Sequence, residues 1–305
     1  MQQFLLENTN AYRQWRARKL RNYPARTEQL IVDIQNPCQL TQEEKDSLLQ
    51  MCEKTNLAIY RTRRDDVQDK NIVTALARQL GLIHMDANFC ADRDRISSIQ
   101  ALPKGPGSSY IPYTNKPLNW HTDGYYNQDT QRIRAFLMHC VRPAKSGGEN
   151  TYLDPEILYI LLRDHDPEHI EALMDPEVMT IPPNPENSER PDLETTGPVF
   201  LIDGPTQTLY TRYTARTRNI QWKDSQACAR ARSTLLDILD DNPYQFSHRL
   251  QSGEGVICNN VLHNRIMFSD KPRSNRLLYR ARFYERVARP DLANDMRHTD
   301  DVVAE

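Results

Sequence analysis

Trp120-His121-Thr122-Asp123-Gly124 sets an imidazole and a carboxylate two residues apart, shortly before the apolar run Arg132 to Arg142. Along an extended chain residues 121 and 123 project to one face, so both side chains can converge on a single ion. Gly124 permits close approach of a ligand to the backbone. Far downstream, His263 follows Gly253-Glu254-Gly255-Val256-Ile257-Cys258-Asn259-Asn260, which reads as a turn, a strand and a polar exit. Two histidines and one carboxylate can hold one face of a ferrous ion, leaving three positions for a chelating acid and oxygen.

Arg276 opens an alternating stretch that runs to Val287. Its even positions are Arg276, Leu278, Arg280, Arg282 and Tyr284; its odd positions are Leu277, Tyr279, Ala281 and Phe283. The even face is either the wet side of a sheet or the inside of a barrel. In the second case the guanidinium groups need anions to meet them, and the arginine fork suits a carboxylate held by two hydrogen bonds.

The tripeptide H-x-D is common by chance, and the chain holds three: His84-Met85-Asp86, His121-Thr122-Asp123 and His298-Thr299-Asp300. The first follows a helix that Gly81 ends and reads as a surface turn. The third lies in a polar tail with almost no chain beyond it to supply another ligand. For the middle copy the plain alternative is a hydrogen-bonded His–Asp pair at a strand end, and for His263 an ordinary half-buried histidine.

Elsewhere, Thr41-Gln42-Glu43-Glu44 is a capping box opening a helix to about Lys54. Leu57 to Tyr60 reads as a strand, and Asp69 caps a second helix ending at Gly81. The region from Ala87 to Asn119 is rich in Pro, Gly and Ser and predicts long loops. Asp154-Pro155 and Asp166-Pro167 each place a capping carboxylate before a proline suited to the first helical position, and Asp175-Pro176 closes this insert. Pro182 to Pro191 predicts a polar surface loop, and Lys223 to Asp241 has helical spacing. Phe246 to Leu250, Gly255 to Asn259 and Arg276 to Val287 read as strands. Short strands in both halves with helices between them predict a mostly β barrel with helical additions, an α+β fold. The expected organisation is a single catalytic domain over 1–305, with a core at 57–287, a helical insert at 154–176 and a polar tail at 290–305.

Lys+Arg 39 against Asp+Glu 41 gives a formal net charge of -2, so no global field favours nucleic acid. No apolar stretch is long enough to span a bilayer, and the start lacks the basic flank and apolar length of a signal peptide. Cys38, Cys52, Cys90, Cys140, Cys228 and Cys258 form no C-x-x-C pair and read as reduced thiols. These features predict a cytoplasmic protein with a small-molecule substrate, not a nucleic-acid or membrane partner.

Taken together, these residues resemble the iron(II)/2-oxoglutarate-dependent dioxygenases of the taurine dioxygenase/TfdA superfamily, over about Ile59 to Val287. The segments that carry the likeness are Tyr113-Thr114-Asn115-Lys116-Pro117-Leu118-Asn119-Trp120-His121-Thr122-Asp123, Met138-His139-Cys140-Val141, Gly147-Gly148-Glu149-Asn150 and Gly255 to Arg265. They are most similar to the γ-butyrobetaine hydroxylase branch. The resemblance implies a double-stranded β-helix (jelly-roll) core, with His121, Asp123 and His263 as iron ligands. It implies that Arg276 binds the distal carboxylate of 2-oxoglutarate, helped by Asn150 where the family commonly has Thr or Ser. The cofactors implied are Fe(II), 2-oxoglutarate and O2, and the reaction is oxidative decarboxylation coupled to hydroxylation of an unactivated C–H. Halogenating relatives lack the ligand carboxylate, so Asp123 favours hydroxylation.

For the substrate, Tyr113 falls where the butyrobetaine branch has one wall of an aromatic cage for a trimethylammonium group. Arg280 corresponds to the arginine that taurine dioxygenase uses on a sulfonate. Arg282 stands where the branch has another cage aromatic, and a guanidinium there repels a quaternary ammonium. The expectation is a small anionic or zwitterionic substrate held by Arg280 or Arg282: a betaine, amino acid, carboxylate or sulfonate. The rivals are a hydrolase using the same ligands on another divalent metal and a non-catalytic 2-oxoglutarate sensor. In the enzyme reading, the helical insert and the Pro182 to Pro191 loop serve as a lid or as the surface of a homo-oligomer.

Overall fold

The structure, a computed structural model, describes residues 1–87, 91–102, 108, 110–183, 192–270 and 275–289. The tripeptide at His298, the tail beyond Pro290, Cys90 and most of the Pro182 to Pro191 segment lie outside the described residues.

The site rests on two sheets. The larger has the strand order Ile31–Ile34, Leu57–Thr62, Glu254–Cys258, Ala135–Arg142, Leu277–Phe283, Ser97–Ile99; all its pairings are antiparallel except the first. The smaller runs Phe246–His248, Asn150–Leu153, Leu262–Arg265, Leu118–His121, antiparallel throughout. Within it His263 is the direct cross-strand partner of His121. Residues paired this way have side chains on one face about 5 Å apart, so register alone brings the two imidazoles together.

Ala135–Arg142 is buried along nearly its whole length because both faces of the larger sheet are covered. Leu137 and Val141 pack with Ala281 and Phe283 against the helices Gln42–Thr55 and Asn71–Gln79. Phe136, Met138 and Cys140 face the other way, into a core shared with Tyr152, Leu278, Val256 and Tyr113. The alternation in Leu277–Phe283 is thereby resolved: its odd residues meet the helices, and Arg280 and Arg282 point inward, buried. Of the two readings of that face, the interior one holds.

Among the described residues there are six α-helices, and the fold is a mixed α+β one. Thr41 closes a reciprocal capping box with Glu44, and Asp154 and Asp166 accept from the backbone N–H groups of Glu156 and Glu168. The helices Pro155–His165, Pro167–Met174 and Gln226–Asp240 form a third core with the N-terminal helix Thr9–Leu20. That N-terminal helix escaped the sequence reading because TNAYRQWRARKL carries few apolar residues and no clear stripe. The short strands Met179–Ile181, Thr195–Gly197, Phe200–Asp203 and Thr208–Thr211 escaped it too, being too brief for periodicity to register. No helix among the described residues is long and apolar enough to cross a membrane.

Candidate metal centre and substrate cavity

His121 ends its strand beside His263, and their ring centroids are 4.2 Å apart. Asp123 follows in a turn, with its Oδ1 3.8 Å from His121 Nε2. One ligand atom from each of His121, Asp123 and His263 lies within 4.8 Å of the others, and all three residues are buried. The sequence singled out these three, and the fold brings them to one point.

Both imidazoles are oriented through Nδ1, which lies 2.8 Å from the Asn119 carbonyl in His121 and 3.0 Å from the Val261 carbonyl in His263. A carbonyl only accepts, so each Nδ1 carries the proton and each Nε2 keeps a lone pair for a metal. Burial, reinforced by His263, pulls the His121 pKa down to about 3; burial lowers that of His263 as well. Both rings are therefore neutral at pH 7, the form that ligates. Asp123 shows the opposite balance. Burial alone would raise its pKa, but Arg280 and then Arg282 hold it at about 2. Its Oδ1 accepts from Arg280 Nη1 at 3.0 Å, and its Oδ2 is buried with no partner. A buried carboxylate oxygen left bare beside two imidazole lone pairs fits a divalent metal of the Fe(II) kind.

Asp123 and His121 open into a cavity of about 250 Å³. Its walls include Tyr110, Tyr113, Tyr125 and Tyr126, with Gly124, Arg280, Arg282 and Asp86. Gly124 takes φ +69, and a Cβ there would come within 2.4 Å of Ile133 Cγ1. The turn after Asp123 thus requires glycine for its backbone and for Ile133, besides any room it leaves for a ligand.

Asp86 corrects the sequence reading. His84 is exposed and paired with Glu285, as a surface turn implies, but Asp86 is buried in the cavity wall. Its carboxylate accepts from Arg282 Nη2 and from the Tyr284 hydroxyl. Arg282 Nη1 donates to Tyr126 Oη at 2.9 Å. The anion that meets Arg282 is therefore the protein's own. The period-two pattern put Arg282 on one face with Arg280 and left inside or outside open, and no local signal paired it with a residue 196 positions away.

Arg276 is buried near Gly148, with its guanidinium over the Phe268 ring at 5.2 Å. Burial lowers its pKa to about 10, so it remains a cation; the Asp270 carboxylate accepts from its backbone N–H at 2.8 Å, while among the described residues its guanidinium has no ion pair. Asn150 pairs with Arg265 across the smaller sheet and gives a side-chain N–H to the Asn264 carbonyl. The Nη atoms of Arg265 donate to the carbonyls of Ile111, Pro112, Thr114 and Lys116, clamping the segment that carries Tyr113. No local signal marks Arg265 as a clamp, because its contacts join positions more than 140 residues apart.

His121, Asp123 and His263 form a buried cluster that could hold a metal ion, with His121 and Asp123 lining the cavity, and two histidines with one carboxylate are the donor set that serves non-haem iron oxygenases. The family described as taurine catabolism dioxygenase TauD, TfdA matches residues 16–282, and the chain belongs to it. Among curated relatives, a uridine-5'-phosphate dioxygenase from Amycolatopsis sp is 32% identical over 176 residues, covering 54% of this chain and 60% of that protein. One from Streptomyces sp is 30% identical over 201 residues, covering 62% and 70%. The matched part thus spans about two thirds of these relatives. Among solved structures, an asparagine oxygenase complexed with Fe(II), 2S,3S-3-hydroxyasparagine and succinate shares the fold at TM-score 0.57 and 17% identity, covering 80% of this chain and 84% of that one. The non-haem iron oxygenase OrfP with Fe and alpha-ketoglutaric acid does so at TM-score 0.59 and 16% identity, covering 81% of each.

Proposed function

We propose that the chain is an iron(II)/2-oxoglutarate-dependent dioxygenase that hydroxylates an unactivated C–H of a small anionic substrate. The observation that carries this is the His121–Asp123–His263 cluster, with two neutral imidazoles and one bare carboxylate oxygen opening into the tyrosine-walled cavity. We read the two sheets as the halves of a double-stranded β-helix, and His121, Asp123 and His263 as the iron ligands. Arg276 supplies the buried cation for the distal carboxylate of 2-oxoglutarate. Asn150 has one amide N–H to add, the other being spent on Asn264.

Iron bound here would supply the oxidising power, with 2-oxoglutarate as the electron source. The chain's own part is to orient and to exclude water. Asn119 and Val261 keep the Nδ1 protons in place, Arg280 keeps Asp123 ionised, and the tyrosines wall off the cavity. Arg280 gives one donor to Asp123, and its Nε is buried without a partner, so it has capacity left for an anionic group. Arg282 is committed to Asp86 and Tyr126. With Arg282 neutralised by Asp86, it is the Arg280 guanidinium that disfavours a quaternary ammonium, although Tyr113 of the butyrobetaine-like segment lines the cavity. The curated relatives are named for a phosphate-bearing substrate, which is also anionic, so uridine 5'-phosphate belongs in the first panel beside carboxylates, sulfonates and amino acids.

The test is to add Fe(II) and 2-oxoglutarate without oxygen and record the visible spectrum, with Arg276→Ala beside it. A metal-to-ligand charge-transfer band that the variant weakens supports the reading, and succinate release then screens substrates. Absence of a band in folded protein would overturn it and favour a metal hydrolase.

A further inference from the structure

We infer that Asn260 is a positioning residue that sets the direction of the Asp123 carboxylate; the inference rests on the metal-site reading above. Asn260 lies between the strands Glu254–Cys258 and Leu262–Arg265, where the chain leaves the larger sheet for the smaller. It takes φ +49, the left-handed conformation that asparagine tolerates better than most residues, and its side chain is buried.

Its amide bridges the turn that carries Asp123 and the chain at Ile133. Oδ1 accepts from the Asp123 backbone N–H at 2.8 Å. Nδ2 donates to the Asp123 carbonyl at 2.9 Å and to the Ile133 carbonyl at 2.7 Å. Asp123 has left its strand, so no ladder holds its two backbone groups; the amide of Asn260 takes the place of a strand. Ile133 is also the residue that Gly124 packs against. The amide therefore ties Asp123, Gly124 and Ile133 into one unit.

Three residues after Asn260, on the strand Leu262–Arg265, comes His263. One side chain thus links the element bearing one histidine ligand to the turn bearing the carboxylate, while the sheet register links His263 to His121. The triad is fixed along two sides, by cross-strand pairing on one and by Asn260 on the other. Without the amide the carboxylate would still be present but its angle would relax, and a site loose by a fraction of an ångström binds metal and orients a substrate poorly.

The test compares Asn260→Gly and Asn260→Asp with the unaltered protein and with His121→Ala. Glycine keeps the left-handed backbone without strain and removes the amide. Aspartate keeps the shape and cannot donate to the two carbonyls. Folding is followed by thermal denaturation, Co(II) affinity by absorption against a competing chelator, and the anaerobic Fe(II)/2-oxoglutarate band by its position and intensity. The expected result is Co(II) binding ~10–100-fold weaker in whichever variants fold, with a displaced or broadened band. Wild-type affinity and an unchanged band in a folded variant, whatever its melting temperature, would overturn the inference. Its failure is distinguishable from that of the metal site: if the unaltered protein binds Co(II) no better than His121→Ala, both readings fall.

Discussion

Arg280 Nη1 lies 3.0 Å from Asp123 Oδ1, with both side chains buried, and Asp123 Oδ2 has no partner. One oxygen of the carboxylate is taken by a fixed cation and the other is bare, as the proposed metal site requires. The guanidinium keeps Asp123 ionised where burial would protonate it, and its own Nε is left over, buried without a partner beside the cavity.

Arg280 therefore has two tasks, and Arg280→Ala should show both. Loss of a charged hydrogen bond to an anionic substrate raises KM by about 10- to 100-fold. Metal binding weakens in the same variant, because Asp123 loses its main counter-charge. The affinity for 2-oxoglutarate, measured in metal-saturated protein, should change little, since Arg276 is intact. Steady-state kinetics and the anaerobic spectrum check this, and an unchanged KM would remove Arg280 from the substrate site.

Asp86→Ala should be costly in a way a surface turn would not be. It strips Arg282 of its carboxylate, and one half of a buried ion pair left alone costs about 3–5 kcal/mol. Urea denaturation measures the loss. The uncompensated guanidinium then becomes a second anion site in the cavity, so added anionic ligand should stabilise the variant more than the unaltered protein.

Gly124→Ala should destabilise by about 2–5 kcal/mol. A left-handed backbone at alanine costs about 1–2 kcal/mol, and crowding Ile133 Cγ1 adds about 1–3 kcal/mol. If the contact is responsible, Ile133→Ala in the same chain recovers the crowding part. A double-mutant cycle with no coupling would refute it.

Asp203 provides a pH signature away from the metal ligands. It is buried, and Arg134 meets it with Nε and Nη2, each at 2.8 Å. Burial pushes its pKa up, but the hydrogen bonds from Arg134 and Thr206 outweigh that and hold it below the ordinary carboxylate value. A depressed folded pKa means stability that is full above the unfolded value of about 4 and is lost as pH falls through the lower folded value. Asp203→Asn should thus cost about 1–3 kcal/mol near pH 7. The gap to the unaltered protein should narrow below about pH 4, and a gap independent of pH would count against the ion pair.

His121, Asp123 and His263 were legible as candidates from residue type and from the family likeness, and the alternation from Arg276 showed an arginine face while leaving open whether it pointed outward or inward. Side chains two apart in a strand share a face, which holds for Arg280 and Arg282; Asp123 lies past the end of its strand, so the turn, not the pleat, brings it to His121. The capped helices at Gln42 and Pro155 were legible because a cap is a contact between residues two or three apart. Tertiary structure alone decided which charges neutralise which. Asp86 with Arg282, Asn260 with Asp123, and Arg265 with the Ile111 to Lys116 carbonyls join positions more than 130 apart, and no periodicity encodes such pairs. A buried charge must find its partner in the folded interior, where desolvation makes the lack of one costly. The sequence by itself determined the donor set; the packing of two sheets determined which donors remain open to a ligand.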